Sequence, residues 1–107
     1  MSVPNEAYNV FEIIEDVLKN CDIYELIIRD MGKYPGIQRY ELPAYIMQCI
    51  KGRSDYLSRM ECRFLELKYF NGKNYEQIAK TLGISPRSVA NWRIRILTKI
   101  AKRGALL

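Results

Sequence analysis

The segment YEQIAKTLGISPRSVANW, residues 75–92, constrains the fold most, because a Gly and a Pro interrupt an otherwise amphipathic pattern. Gly83 stands where a left-handed residue ends a helix, and Ser85 with Pro86 provides an N-cap and a first-turn proline for another helix. Two helices joined by so short a turn have to cross at a steep angle, since an antiparallel pair needs a longer loop. The segment therefore predicts a helix-turn-helix.

The small and apolar residues of this segment suit that geometry. Ala79 is small enough to let the second helix approach the first, and Ile84 is expected to turn inward. The other apolar side chains are predicted to fill the wedge between the helices: Ile78, Leu82, Val89 and Trp92. We interpret Trp92 as a core residue and not as a base-stacking one, because it lies on the apolar stripe of the second helix.

The remaining sequence is also predicted to be helical, since its apolar residues recur mostly at the helical period and no long alternating stretch indicates a sheet. Asp22 is expected to cap one helix. Ser58 with Glu61 has the spacing of a capping box, and Asn74 with Gln77 forms a weaker capping pair. KYPGIQRYEL, residues 33–42, is predicted to be an ordered turn. The expected helices cover about residues 6–20, 22–31, 43–51, 59–70, 75–82 and 86–103.

Charge divides the chain into two parts. Residues 1–55 hold six basic and nine acidic residues, whereas residues 56–107 hold eleven basic and three acidic ones. We therefore predict an all-α fold with a short acidic helical N-terminal segment, 1–55, and a C-terminal domain with a helix-turn-helix, 56–107. The N-terminal segment is expected to extend the core, to form a homodimer or to bind a partner protein.

The composition argues against an enzyme. The chain has no His, so Ser-His and Cys-His nucleophile pairs and the commonest zinc ligand are missing. Cys21, Cys49 and Cys62 are odd in number and widely spaced, which indicates buried thiols in a reducing compartment. No apolar run reaches the roughly 18–20 residues of a membrane span. We predict a cytoplasmic protein with no catalytic residue, metal or cofactor.

The last helix presents a polar face opposite its apolar stripe when its residues are projected at about 100° each. Arginine can bond bidentately to guanine, asparagine to adenine, and an apolar side chain can meet a thymine methyl group. The predicted exposed face contains Arg87, Asn91, Ile94, Arg95, Thr98 and Lys102. This mixture is typical of a helix that enters the major groove.

The candidate DNA contacts fall into two groups. Residues in the first half of a recognition helix reach base edges, whereas scattered cations suit phosphates. The base-reading candidates are Arg87, Ser88, Asn91 and Arg95. The phosphate candidates are Lys73, Lys80, Arg93, Lys99, Lys102 and Arg103.

The segment LSRMECRFLELKYFNGKNYEQIAKTLGISPRSVANWRIRILTKI, residues 57–100, resembles the fourth-region DNA-binding domain of bacterial sigma factors. KYFNGKNYEQIAKTLGIS carries the sigma-like pattern, whereas RIRILTKI is similar to the end of the output domain of LuxR-type regulators. The resemblance implies a four-helix domain. The resemblance implies double-stranded promoter or operator DNA as ligand and, for sigma factors, RNA polymerase as a protein contact. On the sigma pattern the recognition positions are Pro86, Arg87, Ala90 and Asn91, of which Pro86 and Ala90 lack the polar side chains often found there.

Residues 1–55 show neither the length nor the aromatic-basic helix of the sigma region that melts promoters. The sequence therefore favours a sequence-specific transcription regulator, similar to small phage-type regulators, over a sigma factor that initiates alone. One alternative is a sigma-mimicking or anti-sigma-like protein that binds RNA polymerase. Another is a phage DNA-packaging small subunit.

Overall fold

The structure, a computed structural model, describes residues 5–31 and 41–107. These ranges contain helices and no strand, so the predicted all-α fold is confirmed. A 3-10 turn, Arg53–Asp55, precedes α4, and a π-helical turn, Glu66–Phe70, continues it. The helices are α1 Asn5–Lys19, α2 Cys21–Met31, α3 Glu41–Lys51, α4 Arg59–Leu65, α5 Tyr75–Leu82 and α6 Pro86–Arg103. Residues 33–40 of the predicted turn lie outside the described residues, whereas Glu41 and Leu42 belong to α3, which begins two residues earlier than expected.

The start of α2 differs from the prediction that Asp22 is its N-cap. Only Asn20 separates α1 from α2, and helical hydrogen bonds continue across this junction. The Asn20 backbone N–H donates to the Asp16 carbonyl at 3.1 Å, and the Tyr24 N–H donates to the Asn20 carbonyl at 2.9 Å. Asp22 consequently lies inside the first turn of α2. The cap prediction was wrong because it assumed a break between the two helices.

One hydrophobic core joins the two halves of the chain. α1 packs against α3, the π-helical turn and α6, so the acidic N-terminal segment lies directly on the basic C-terminal part. Phe11 belongs to the buried stripe of α1, whereas Ile13 is 37% exposed. The buried apolar residues are Phe11, Ile14, Val17, Leu18, Ile46, Met47, Ile50, Leu57, Phe64, Leu65, Leu67, Tyr69, Ile78, Ala79, Leu82, Val89, Ile96, Leu97, Ile100 and Ala101.

Capping boxes fix the starts of α4 and α5, as the sequence predicts. The Ser58 hydroxyl accepts from the Glu61 N–H at 3.1 Å, and the Ser58 N–H donates to the Glu61 carboxylate at 2.8 Å. Asn74 and Gln77 make the same reciprocal pair at 2.9 and 3.0 Å. Local side chains therefore decide where both helices begin.

The end of α6 is closed by Ala105 and not by the glycine that precedes it. Gly104 has φ −87°, and Ala105 takes the left-handed conformation at φ 56°. The Leu106 N–H donates to the Ala101 carbonyl at 2.8 Å, the bond of a Schellman motif. Gly104 serves close packing instead, because a Cβ there would lie 3.2 Å from both the Cys49 sulfur and the Tyr45 ring.

Gly83 ends α5 in the left-handed region at φ 69°, and the Ile84 N–H donates to the Ala79 carbonyl at 3.0 Å. A Cβ at Gly83 would meet no atom within 4 Å, so alanine there would cost only the strain of a left-handed backbone conformation. We expect Gly83→Ala to lower the free energy of unfolding by about 1–2 kcal/mol in urea denaturation. The matched control is Gly52→Ala. Gly52 has φ −89°, and a Cβ there would have no atom nearer than 3.6 Å, so this change should not destabilise the protein. Equal effects of the two changes would contradict this explanation.

Candidate nucleic-acid interface

The helix-turn-helix forms as the sequence predicts. α5 and α6 pack directly on one another, and Ile78 and Val89 are fully buried between them and the core. Ala79 is 3% exposed, which agrees with its predicted role in close helix approach. Ile84, in the turn, is partly buried against the core. The second helix is therefore held by its inner face and leaves its outer face to solvent.

The first turn of α6 is capped from within the chain. The Ser85 hydroxyl accepts from the Ser88 N–H at 3.2 Å, and the two hydroxyl groups lie 2.8 Å apart. Pro86 occupies the first helical position, and this turn contains no acidic side chain. The positive end of the helix dipole is thus not neutralised by a local carboxylate, which favours a nearby anion such as phosphate.

The four base-reading candidates differ in their surroundings. Arg87 and Asn91, one turn apart, are exposed, and neither side chain makes a hydrogen bond or ion pair with another described residue. Ser88 is half-buried and its hydroxyl is engaged by Ser85. Arg95 turns back onto the protein. The structure thus presents Arg87 and Asn91 together on the outer face of α6.

Trp92 and Arg95 form a contact on the side of α6. The Trp92 ring is partly buried against the core, stacked on Phe64 with 6.3 Å between ring centroids. The Arg95 guanidinium lies 4.5 Å from the centroid of the Trp92 ring, a cation–π distance. Trp92 therefore packs on the core, as predicted, while part of its surface is covered by an arginine that we expected to face DNA.

Glu61 is the buried counter-ion of α6, with 2% exposure. Lys99 donates to both of its carboxylate oxygens at 2.9 Å, and the Arg95 Nε donates at 3.2 Å. Burial by itself would raise the pKa of Glu61, but hydrogen bonds from Lys99 and the Ser58 backbone outweigh it and keep the pKa below its ordinary value. One carboxylate therefore caps α4 and fixes two cations of α6.

Glu15 makes a second ion pair with α6, this time from α1. The Arg93 guanidinium donates to both Glu15 oxygens, its Nε at 2.9 Å, and the Tyr69 hydroxyl donates at 2.6 Å. Burial opposes ionisation of Glu15, but these hydrogen bonds from Arg93 and Tyr69 outweigh it and lower the pKa of this carboxyl. The same contact raises the pKa of Arg93. This ion pair holds α1 against α6 in addition to the apolar packing between the two helices.

Residues 63–100 match the family described as sigma-70, region 4. These residues form a sigma region 4-like helix-turn-helix domain. Such domains bind DNA and RNA polymerase, and their fold is not a catalytic one. The match begins within α4 and includes α5 and most of α6, so it covers both helices of the motif. The chain has no significant match among curated proteins or solved structures.

The phosphate candidates divide into two groups. Lys73, Lys80, Lys102 and Arg103 are exposed, and Arg103 lies 5.4 Å from the Tyr56 ring. Arg93 and Lys99 instead hold carboxylates of the chain itself. Sequence reasoning missed this second role, because Glu61 was recognised only as a capping residue and no local pattern relates Glu15 to Arg93.

Other kinds of site find little support within the described ranges. No cluster of Cys, Asp or Glu side chains in residues 5–31 and 41–107 could hold a metal ion. Burial raises the pKa of the Cys21, Cys49 and Cys62 thiols, which does not favour reactive thiolates. No helix of the described part is both long and apolar enough to span a bilayer.

Proposed function

We propose that this chain is a sequence-specific DNA-binding transcription regulator that places α6 in the major groove. The observation that carries the proposal is the exposure of Arg87 and Asn91, one turn apart, at the start of the second helix of a region 4-like helix-turn-helix. Residues at the start of such a helix are the ones that reach base edges. Arginine pairs with guanine O6 and N7, and asparagine pairs with adenine N6 and N7.

The remaining side chains support this role in different ways. Exposed Lys73, Lys80, Lys102 and Arg103 are proposed to contact phosphates, which fix the register without reading sequence. Under the proposal, Glu15 and Glu61 hold α6 in place, so that its outer face is presented as a rigid surface. This scheme includes no catalytic step, and the protein is proposed to act in the cytoplasm.

Arg87→Ala and Asn91→Ala test the proposed base reading. Each should weaken binding to the preferred duplex by about 1–3 kcal/mol, because each removes a bidentate pair with a base. Fluorescence anisotropy with the selected duplex and with a scrambled duplex of equal length measures both affinities. The preferred duplex is found by selecting bound fragments from a random pool with the full chain.

Lys80→Ala is the matched control for this experiment. Lys80 is exposed on α5, and a phosphate contact there should affect both duplexes equally. If Arg87→Ala and Asn91→Ala also weaken both duplexes equally, α6 does not read bases and the proposal fails in its specific form.

A second candidate function is binding of RNA polymerase, as a sigma mimic or an anti-sigma-like protein. It is favoured by one observation: three predicted DNA contacts, Arg93, Arg95 and Lys99, are ion-paired within the chain. Capture of polymerase subunits in the absence of DNA, unchanged by Arg87→Ala and Asn91→Ala, would support this function.

Solution mass at the assay concentration shows whether a homodimer forms, which would double the length of DNA read.

A further inference from the structure

The outer face of α6 contains an apolar strip beside its two polar readers. Ala90 is exposed and Ile94 is 37% exposed. At about 100° per residue, Ala90, Ile94, Arg87 and Asn91 all lie within an arc of about 100°. The helix therefore presents two apolar side chains to whatever ligand meets Arg87 and Asn91.

The other polar groups near this strip are already engaged within the protein. The Thr98 hydroxyl donates to the Ile94 carbonyl at 2.6 Å, and the Ser88 hydroxyl is bonded to Ser85. Arg95 is held by Glu61 and by the Trp92 ring. The apolar strip thus makes up a large part of the surface that remains for contact with bases.

We infer that Ala90 and Ile94 read the 5-methyl groups of thymines. This inference rests on the proposed function, since it requires α6 to enter the major groove. The thymine methyl is the apolar group that base pairs present on the floor of this groove. An exposed isoleucine would instead desolvate the polar edges of a G·C pair without replacing their hydrogen bonds, which disfavours that pair.

The spacing of the two side chains limits where the thymines lie. Four residues of α-helix rise about 6 Å, and successive base pairs are about 3.4 Å apart. Ala90 and Ile94 should therefore cover methyl groups within about two base steps of one another. The bases read by Arg87 and Asn91 should lie beside them, because those side chains share the same arc.

Single thymine-to-deoxyuridine replacements in the selected duplex test this inference, since each removes one methyl group and keeps the base pair. Burial of a methyl group on a side chain corresponds to about a fourfold change in affinity. We expect about a threefold to fivefold loss at one or two adjacent thymines, and no loss at the others. In the Ile94→Ala variant, the loss at one of these positions should disappear, whereas Ile94→Val should retain most of it.

Leu26→Ala is the matched control, because Leu26 is an exposed apolar residue, at 58%, on α2 and outside the region 4-like domain. It should leave every deoxyuridine effect unchanged. This inference alone would be overturned if no thymine of the selected duplex were sensitive to deoxyuridine replacement. It would also be overturned if Ile94→Ala left every such loss of affinity unchanged. Failure of the pool to yield any preferred sequence would overturn the proposed function together with it.

Discussion

Replacing Arg95 and Lys99 together by methionine is expected to lower the free energy of unfolding by about 3–5 kcal/mol, the effect of leaving a buried charge unpaired. Glu61 is 2% exposed, and these two residues supply its only ion pairs among the described residues. Methionine keeps the long apolar stem of each side chain, so the change removes charge more than packing. Only the Ser58 N–H would then remain to stabilise the buried carboxylate.

Urea denaturation without DNA measures this change in the free energy of unfolding. Two further variants show whether the buried charge of Glu61 causes it. Lys80→Met with Lys102→Met removes two exposed cations that have no ion pair within the described ranges, and should change stability by less than about 0.5 kcal/mol. Adding Glu61→Gln to the Arg95/Lys99 double variant removes the buried charge and should restore part of the loss. Equal destabilisation by both double variants would show that net charge, and not Glu61, is responsible.

The pH dependence of the same variants provides a further check on Glu61. Because its pKa is lower in the folded protein than in the unfolded chain, its contribution is present above about pH 4.5 and is lost as the pH falls through the folded-state pKa. Without Arg95 and Lys99, only the hydrogen bonds with Ser58 oppose the effect of burial, so the pKa of this carboxyl should rise. The gap in stability between the natural chain and the double variant should therefore narrow as the medium becomes acidic.

Local rules account for the parts of the fold that could be predicted from the sequence. Ser58, Asn74 and Ser85 cap the helices that follow them, and Gly83 ends α5, because each acts on backbone groups within a few residues. The turn between α5 and α6 depends on the same short-range chemistry. The helix-turn-helix that defines the candidate site could therefore be predicted from the sequence.

Long-range contacts explain what could not be predicted. Arg93 was predicted to contact phosphate because it is a cation of the last helix, but Glu15, 78 residues away, binds it in the folded chain. Glu61 serves as a cap within its own turn, and only tertiary packing brings Lys99 to the same carboxylate. A sequence pattern assigns a side chain to a face of its helix, but it does not show which acid of another helix lies there.

A strong salt dependence of DNA affinity is the second large effect that we expect. If Lys73, Lys80, Lys102 and Arg103 each neutralise one phosphate, log K should fall with log[salt] with a slope of about −3.6. A fourfold increase in salt would then weaken binding by about two orders of magnitude. A markedly steeper slope would mean that Arg93 or Lys99 leaves its carboxylate on binding and also reaches the DNA.

The central claim is that the region 4-like domain binds duplex DNA through α6, and the dissociation constant for the selected duplex at about 50 and 200 mM salt tests it most directly. We predict roughly a hundredfold weaker binding at the higher concentration, and a smaller change for Lys102→Ala, which removes one cation of α6. A dissociation constant that stays the same at both salt concentrations would contradict the claim.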